Sequence, residues 1–146
     1  RAAAALRCVL PEHTAAALLR HADPEIRAQA CRCTPRTAQV ASSLSSLLED
    51  LNPGVATAAA KALGRMGRVE ARPWLARLLR QGADAELVEA VTPVADEECV
   101  VLLGRLARRE PALRDAALVA LEAIETPRAA AVLAALGKPD ALHPGL

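Results

Sequence analysis

Residues 23–30 read DPEIRAQA, and three later stretches repeat that pattern. The later stretches are NPGVATAA at 52–59, DAELVEAV at 84–91 and EPALRDAA at 110–117, and successive starts are 29, 32 and 26 residues apart. Offsets of this size are typical of solenoids built from pairs of helices. In such a fold each repeat packs on its neighbours, so the pattern predicts a function carried by an extended surface rather than by one enclosed pocket.

Each repeat opens with residues that suit the start of a helix. Asp23, Asn52 and Asp84 can accept hydrogen bonds from the first free backbone N–H groups, whereas Glu110 is a poorer cap. Further along each repeat, two small residues three positions apart share one helix face and let a neighbouring helix approach closely. These pairs are Ala30/Cys33, Ala59/Ala62, Val91/Val94 and Ala117/Ala120.

The repeats predict five helix pairs. The first helices are expected at 1–9, 24–33, 53–66, 85–92 and 111–124, and the second at 11–20, 36–49, 70–81, 96–109 and 127–136. Pro93 predicts that the fourth first helix ends early or kinks. We expect a single repeat domain over 1–136, with its first repeat truncated, and a C-terminal tail over 137–146. Because the chain begins inside a repeat, we interpret it as a fragment of a larger protein.

One repeat carries a family resemblance. The stretch NPGV at 52–55, followed by AAKALGRMG at 59–67, resembles the HEAT-like repeat named after the phycobilisome (PBS) lyases. The resemblance covers about residues 1–136 and implies an all-α fold, an α-solenoid of about five antiparallel helix pairs. It says little about activity, because the same repeat serves chromophore lyases, a hydroxylase, DNA repair glycosylases and many scaffolds.

Composition and charge argue against two classes of partner. A net charge of +1 gives no general attraction to nucleic acids or anionic membranes, and no run of about 18 uncharged apolar residues is present to span a bilayer. DNA glycosylases of this fold need a basic groove with aromatic side chains. Trp74 is the only aromatic residue of that kind in the chain, and we interpret it as covering a joint between repeats. We therefore expect neither a nucleic-acid nor a membrane partner.

The cysteines favour packing over chemistry. Cys31 and Cys33 are two positions apart, so on a helix they point about 200° apart and do not readily share a zinc ion. Cys33, like Cys8, occupies the small-residue position that Ala62 fills in another repeat, and we expect it to be buried. Cys99 lies on a second helix, where we expect partial exposure. Unpaired cysteines fit a reducing, cytoplasmic compartment, and we expect a bacterial host.

Histidines and short motifs give no sign of catalysis. His21 lies at a predicted helix end, where an imidazole can meet the terminal carbonyls, and we expect a capping or solvated role rather than catalysis. The di-iron hydroxylase relatives need repeated His-Glu pairs, and the chain contains no His-Glu dipeptide. Gly-rich phosphate loops and the Gly-x-Ser-x-Gly motif are also missing from the sequence. We therefore expect a protein that is not an enzyme and that needs no cofactor or metal.

The surface of the second helices remains as a candidate site. In the family that the chain resembles, these helices line the concave face. The leucines at 44, 47, 48, 75, 78 and 79 predict the buried side, which leaves Ser45/Ser46, Ala76/Arg77 and Gly104/Arg105 facing outward. Arginine suits carboxylates on a partner. We expect a non-catalytic scaffold that binds a protein or peptide through Ser42, Ser46, Arg72, Arg77, Arg105 and Arg109; the simpler alternative is an ordinary solvated helix face.

Two other functions stay open. The repeats could belong to a PBS-lyase-like enzyme or enzyme accessory that cradles a substrate protein, or to a structural spacer that dimerises other domains. The truncated repeat ends predict possible self-association. Arg27 and Arg114 sit at the arginine position of the family, where we expect them to tie adjacent repeats together through an acidic neighbour such as Asp84 or Asp115.

Overall fold

The computed structural model describes residues 9–137, and these residues form helices and turns without a strand. The helices are α1 (Glu12–Leu18), α2 (Pro24–Cys31), α3 (Ala38–Leu47), α4 (Pro53–Arg65), α5 (Arg72–Gln81), α6 (Ala85–Val91), α7 (Glu97–Arg109), α8 (Arg114–Ala123) and α9 (Pro127–Leu136). Each lies within three residues of a predicted helix, which confirms the all-α fold class. The predicted tail and nearly all of the predicted helix at 1–9 lie outside the described residues. None of the described helices is long and apolar enough to cross a membrane.

Side-chain caps explain where the helices begin. Asn52 Oδ1 accepts from the N–H groups of Gly54 and Val55 at 2.9 and 3.2 Å, and Asp84 Oδ1 accepts from Leu87 N at 2.8 Å. Asp23 caps α2 in the same way. Three of the second helices, α3, α7 and α9, are capped as well, by Thr37, Asp96 and Thr126. Local sequence therefore sets the helix starts, since a cap satisfies backbone donors that lack a partner within the helix.

The chain divides into two compact units, Arg1–Trp74 and Leu75–Leu146; the single domain predicted over 1–136 stays a prediction. In the first unit α4 packs against both α2 and α3. Val55 and Leu63 of α4 are fully buried, together with most of its alanines. Two residues after α4 comes Gly67, whose φ of 76° closes the last turn and brings Arg68 N to Leu63 O at 3.0 Å. A glycine adopts this left-handed conformation without strain.

In the second unit α7 packs against both α8 and α9. Leu103 and Leu106 are buried, and so is Gly104, at which an added Cβ would lie 2.8 Å from Val132 Cγ1 of α9. The expectation that Ala76 and Gly104 face outward is therefore wrong, because both are buried. At position 104 the reason is the close approach of α9.

The prediction from Pro93 and most of the predicted small-residue pairs agree with the structure, but the pair in the first complete repeat does not. The prediction from Pro93 is confirmed, because α6 ends at Val91 and continues only as the 3-10 turn Thr92–Val94. The small pairs at 59/62, 91/94 and 117/120 are buried as predicted. In the first complete repeat, however, α2 ends at Cys31, so Cys31 is buried while Cys33 lies past the helix and is half-buried. The predicted burial of Cys33 was wrong for that reason.

Candidate functional site

Three of the predicted site residues share one surface of the second unit. Arg77, Arg105 and Arg109 are exposed, and Arg80 of α5 forms an ion pair with Glu98 of α7. Arg77 lies three residues before Arg80 and therefore on the same face of α5. Arg105 lies seven residues, about two turns, after Glu98 on the same face of α7. The ion pair thus joins the two helix faces that carry Arg77 and Arg105. We call Arg77, Arg105 and Arg109 the arginine surface.

On α7 the arginine surface lies opposite a buried helix face. The opposite side of α7 is buried, including Leu102, Leu103, Leu106 and Ala107. Arg109 follows Arg105 by four residues, so the two guanidinium groups project from neighbouring turns. Basic residues in the last turn of a helix also interact favourably with the negative end of the helix dipole. This interaction stabilises the charge of Arg109 without using its N–H donors, which stay available to a partner.

The remaining predicted residues lie in the first unit. Ser42 and Ser46 are exposed and four residues apart on α3, and the Ser46 hydroxyl lies 3.5 Å from the Ser42 carbonyl oxygen. Ser45 is half-buried and donates to Glu70 Oε2 at 3.0 Å. Arg72 is half-buried and already engaged. Ser42 and Ser46 therefore form a small accessible patch, whereas Ser45 and Arg72 have structural contacts of their own.

The Glu70 carboxylate is held in its charged form by these neighbours. Burial by itself raises the pKa of Glu70, but its own backbone N–H, the Ser45 hydroxyl and the Arg68 guanidinium outweigh burial, and the net pKa lies below the ordinary value of 4.5. Arg68 Nε is 3.4 Å from Glu70 Oε2. This cluster fixes the start of α5 beside α3, and sequence reasoning did not anticipate it.

Other residues singled out in the sequence have structural roles. Cys99 is fully buried on α7, so the expected partial exposure was wrong; it lies on the same helix face as Leu103 and Leu106. His21 is exposed, in keeping with the capping or solvated role expected for it, but its imidazole does not contact the carbonyls at the end of α1. Instead His21 Nδ1 accepts from Asp23 N at 3.0 Å and helps to form the turn into α2.

Arg27 and Arg114 make contacts that differ from those predicted. Arg27 pairs with Asp50, in the loop before the next repeat, rather than with Asp84 or Asp115. It therefore does tie adjacent repeats together, but through another carboxylate. Arg114 donates to the carbonyl oxygen of Leu136 at 2.9 Å. Because α8 and α9 form one helix pair, Arg114 joins the two helices of a single repeat, and the predicted inter-repeat role was wrong.

A cavity of about 260 Å³ in the first unit combines arginine and sulfur. Arg32, Arg36 and Arg65 line it together with Cys31 and Met66. Burial raises the pKa of the Cys31 thiol to about 12, even though Arg65 and Arg32 favour the thiolate. A buried thiol with a raised pKa is a poor nucleophile, so we assign Cys31 a packing role. Within residues 9–137 no three His, Cys, Asp or Glu side chains cluster as a metal site would require.

Capped helix pairs that recur along the chain, with buried small residues between them, define a helical-repeat protein. A family model for HEAT repeats matches residues 11–94, more than half of the 146-residue chain. The chain belongs to the HEAT repeat family. No curated protein and no solved structure matches it.

Proposed function

We propose that this protein is a non-catalytic scaffold that binds an acidic segment of a partner protein through the arginine surface. HEAT repeats commonly bind proteins, and the family match makes a protein partner the first expectation. The observation that supports this particular surface is the Arg80–Glu98 ion pair, which joins the faces of α5 and α7 that carry Arg77 and Arg105.

Arginine on this surface suits carboxylates. A guanidinium group donates two parallel N–H bonds to a carboxylate and is less strongly hydrated than an ammonium group. The side chains of all three arginines are exposed: Arg77, Arg105 and Arg109. Each can therefore reorient toward a ligand without breaking a buried ion pair. On α3 of the first unit, Ser42 and Ser46 form a separate patch at which short side chains would allow close approach.

A capture experiment tests the proposal. The wild-type protein and the Arg77→Glu/Arg105→Glu variant would each be used as bait in host lysate, with bound proteins identified by mass spectrometry. We expect an acidic partner that the wild type retains and the variant loses, and that increasing salt releases. A matched control, Arg20→Glu/Arg32→Glu, reverses two exposed arginines elsewhere and should retain the partner. Equal capture by all three baits would contradict the role of the arginine surface.

The subtype of the repeat supports a narrower alternative. The residues NPGV and AAKALGRMG favour the phycobilisome-lyase type of HEAT-like repeat, and we propose that assignment together with a cytoplasmic location in a bacterial cell. If the protein acts as an accessory of such a lyase, it will bind a tetrapyrrole. Titration with a free bilin would then produce a visible absorption band that follows the protein through gel filtration, and no band would exclude this alternative.

A further inference from the structure

A second surface, on the first helices of the second unit, forms an apolar groove. The groove has a volume of about 510 Å³ and lies between α6 and α8. One wall consists of residues 85, 88, 89 and 92 and the other of residues 116, 119, 120 and 123. Both sets follow the spacing i, i+3, i+4, i+7. Residues 85, 88 and 89 lie on one face of α6, with Thr92 in the 3-10 turn that follows, and residues 116, 119, 120 and 123 lie on one face of α8. The second wall is therefore a single helix face, and the first is a helix face extended by one turn residue.

The floor of this groove is packed but its mouth is not covered. Val88 and Ala120 are 2% and 4% exposed, whereas Val119 is 65% exposed. Among the large hydrophobic residues that are exposed within residues 9–137, Val119 is the one that lies in an α-helix. Val119 lines the groove and carries its apolar lining to the surface. Contiguous apolar surface of this kind, rather than a single exposed residue, is typical of a docking site.

The two charged residues that line the groove are both acidic. Glu89 and Asp115 line it and are exposed, and Lys and Arg are not among its lining residues. Arg114, next to Asp115, donates a guanidinium N–H to the carbonyl oxygen of Leu136 on α9. Glu122, also exposed, adds a further carboxylate to α8. The groove therefore favours a cationic ligand, although the whole chain has a net charge of +1.

The dimensions indicate which ligand fits. At 1.5 Å per residue, the seven residues of α6 extend about 10 Å and the ten residues of α8 about 15 Å. A wall of that length matches two to three turns of a docked helix. Amphipathic helices bind in such grooves by inserting side chains from successive turns into the apolar floor.

We propose that the groove between α6 and α8 binds a basic amphipathic helix of a partner protein. Apolar side chains of that helix would pack on Val88 and Val119, and its Lys or Arg residues would pair with Glu89 and Asp115. This surface is opposite in charge to the arginine surface and independent of it, so the protein would have two docking surfaces that select different partners.

The test uses peptides of about fourteen residues, selected from a displayed library of helical sequences on the wild-type protein. Fluorescence anisotropy would then measure the binding of a selected peptide. We expect enriched peptides to combine Leu, Ile or Phe in a helical stripe with flanking Lys or Arg. Val119→Asp should weaken binding at least about tenfold, as should Glu89→Lys/Asp115→Lys, which should also favour a version of the peptide with Glu in place of Lys.

Matched variants control for general effects. Val69→Asp alters a valine that is 56% exposed but lies outside the groove, and Glu49→Lys/Glu125→Lys reverses two exposed carboxylates elsewhere. Both should bind the peptide as the wild type does, and so should Arg77→Glu/Arg105→Glu, which separates this proposal from the arginine surface. Enrichment of acidic peptides, or of peptides indifferent to Val119→Asp, would overturn the proposal. So would a protein dimer that Val119→Asp disrupts, because a second copy would then occupy the groove.

Discussion

Arg27 and Asp50, 23 residues apart in the chain, form a two-pronged ion pair. Arg27 Nε lies 3.1 Å from Asp50 Oδ2, and Arg27 Nη2 lies 3.1 Å from Asp50 Oδ1. Arg27 Nη1 also donates to the carbonyl oxygens of His21 and Ala22, and Asp50 Oδ1 accepts from Asn52 N. One arginine therefore connects α2 with the turn before it and with the loop that leads into the next repeat.

Removal of the Arg27 guanidinium should destabilise the protein considerably. The side chains of Arg27 and Asp50 are only 18% and 11% exposed, so Arg27→Ala leaves a poorly hydrated carboxylate and two carbonyl groups without their donor. We expect a loss of about 3 kcal/mol in the free energy of unfolding, measured by urea denaturation. Arg27→Lys should recover only part of the lost stability, because an ammonium group cannot donate two parallel N–H bonds to one carboxylate. Arg20→Ala, at an exposed arginine, should cost less than about 0.5 kcal/mol.

The same pair predicts a stability that decreases in acid. Burial by itself raises the pKa of Asp50, but the Asn52 N–H and Arg27 outweigh it, and the net pKa lies below the ordinary value of 3.8. A carboxyl group with a lowered folded-state pKa stabilises the fold above its ordinary pKa and loses that contribution as pH falls through the lowered one.

We therefore expect the stability difference between the wild type and Asp50→Asn to stay constant from neutral pH to about pH 5 and to shrink below about pH 4. Urea denaturation at several pH values, followed by circular dichroism, measures this difference. Because Asp50→Asn keeps every other titrating group, the comparison isolates Asp50 from Glu70. A difference that grew as the pH fell would contradict the lowered pKa.

Gly104→Ala tests the close contact between α7 and α9. An added Cβ would lie 2.8 Å from Val132 Cγ1, and a β-branched valine has few other rotamers in a helix. Alanine gains up to about 1 kcal/mol in helix propensity, while overpacking costs about 1–3 kcal/mol. We expect a net loss of about 1 kcal/mol in a thermal or urea transition. Combining Gly104→Ala with Val132→Ala should remove the clash, and purely additive effects would contradict it.

The thiols should differ in reactivity. Cys31 is 1% exposed with a pKa raised to about 12, Cys99 is fully buried, and Cys33 is half-buried. In a Cys8→Ser background, iodoacetamide should modify Cys33 at least about tenfold faster than Cys31 or Cys99, as followed by peptide mass spectrometry. In concentrated urea all three should react at similar rates. Rapid native labelling of Cys31 would show that the end of α2 opens readily.

Helix positions were predictable because their signals are local. Caps such as Asn52 and Asp84 act within a single turn, and Pro93 acts on the residue before it, so each could be identified without knowledge of any tertiary contact. Cys99 lies four and seven residues before Leu103 and Leu106, so its burial follows from the leucine pattern. The predicted exposure of Gly104 failed for a different reason. A leucine pattern indicates one buried side, whereas α7 packs against α8 and α9 together and buries a wider surface.

One candidate surface could be predicted from local sequence and the other could not. The exposure of Arg77, Arg105 and Arg109 followed from helix periodicity. The groove between α6 and α8 did not, because its walls come from residues about thirty positions apart. Val119 looks like an ordinary core residue in the sequence, and only the arrangement of the two helices leaves it open.

The sequence by itself determined the repeats, the helix pairs and the family, because capping, propensity and small-residue spacing act over a few residues and recur along the chain. Only the tertiary structure decided that Asp50 is the partner of Arg27, that Cys31 rather than Cys33 is buried, and that two acidic residues line an apolar groove. These outcomes depend on which helix faces approach each other, and that approach is set by packing between segments far apart in the chain.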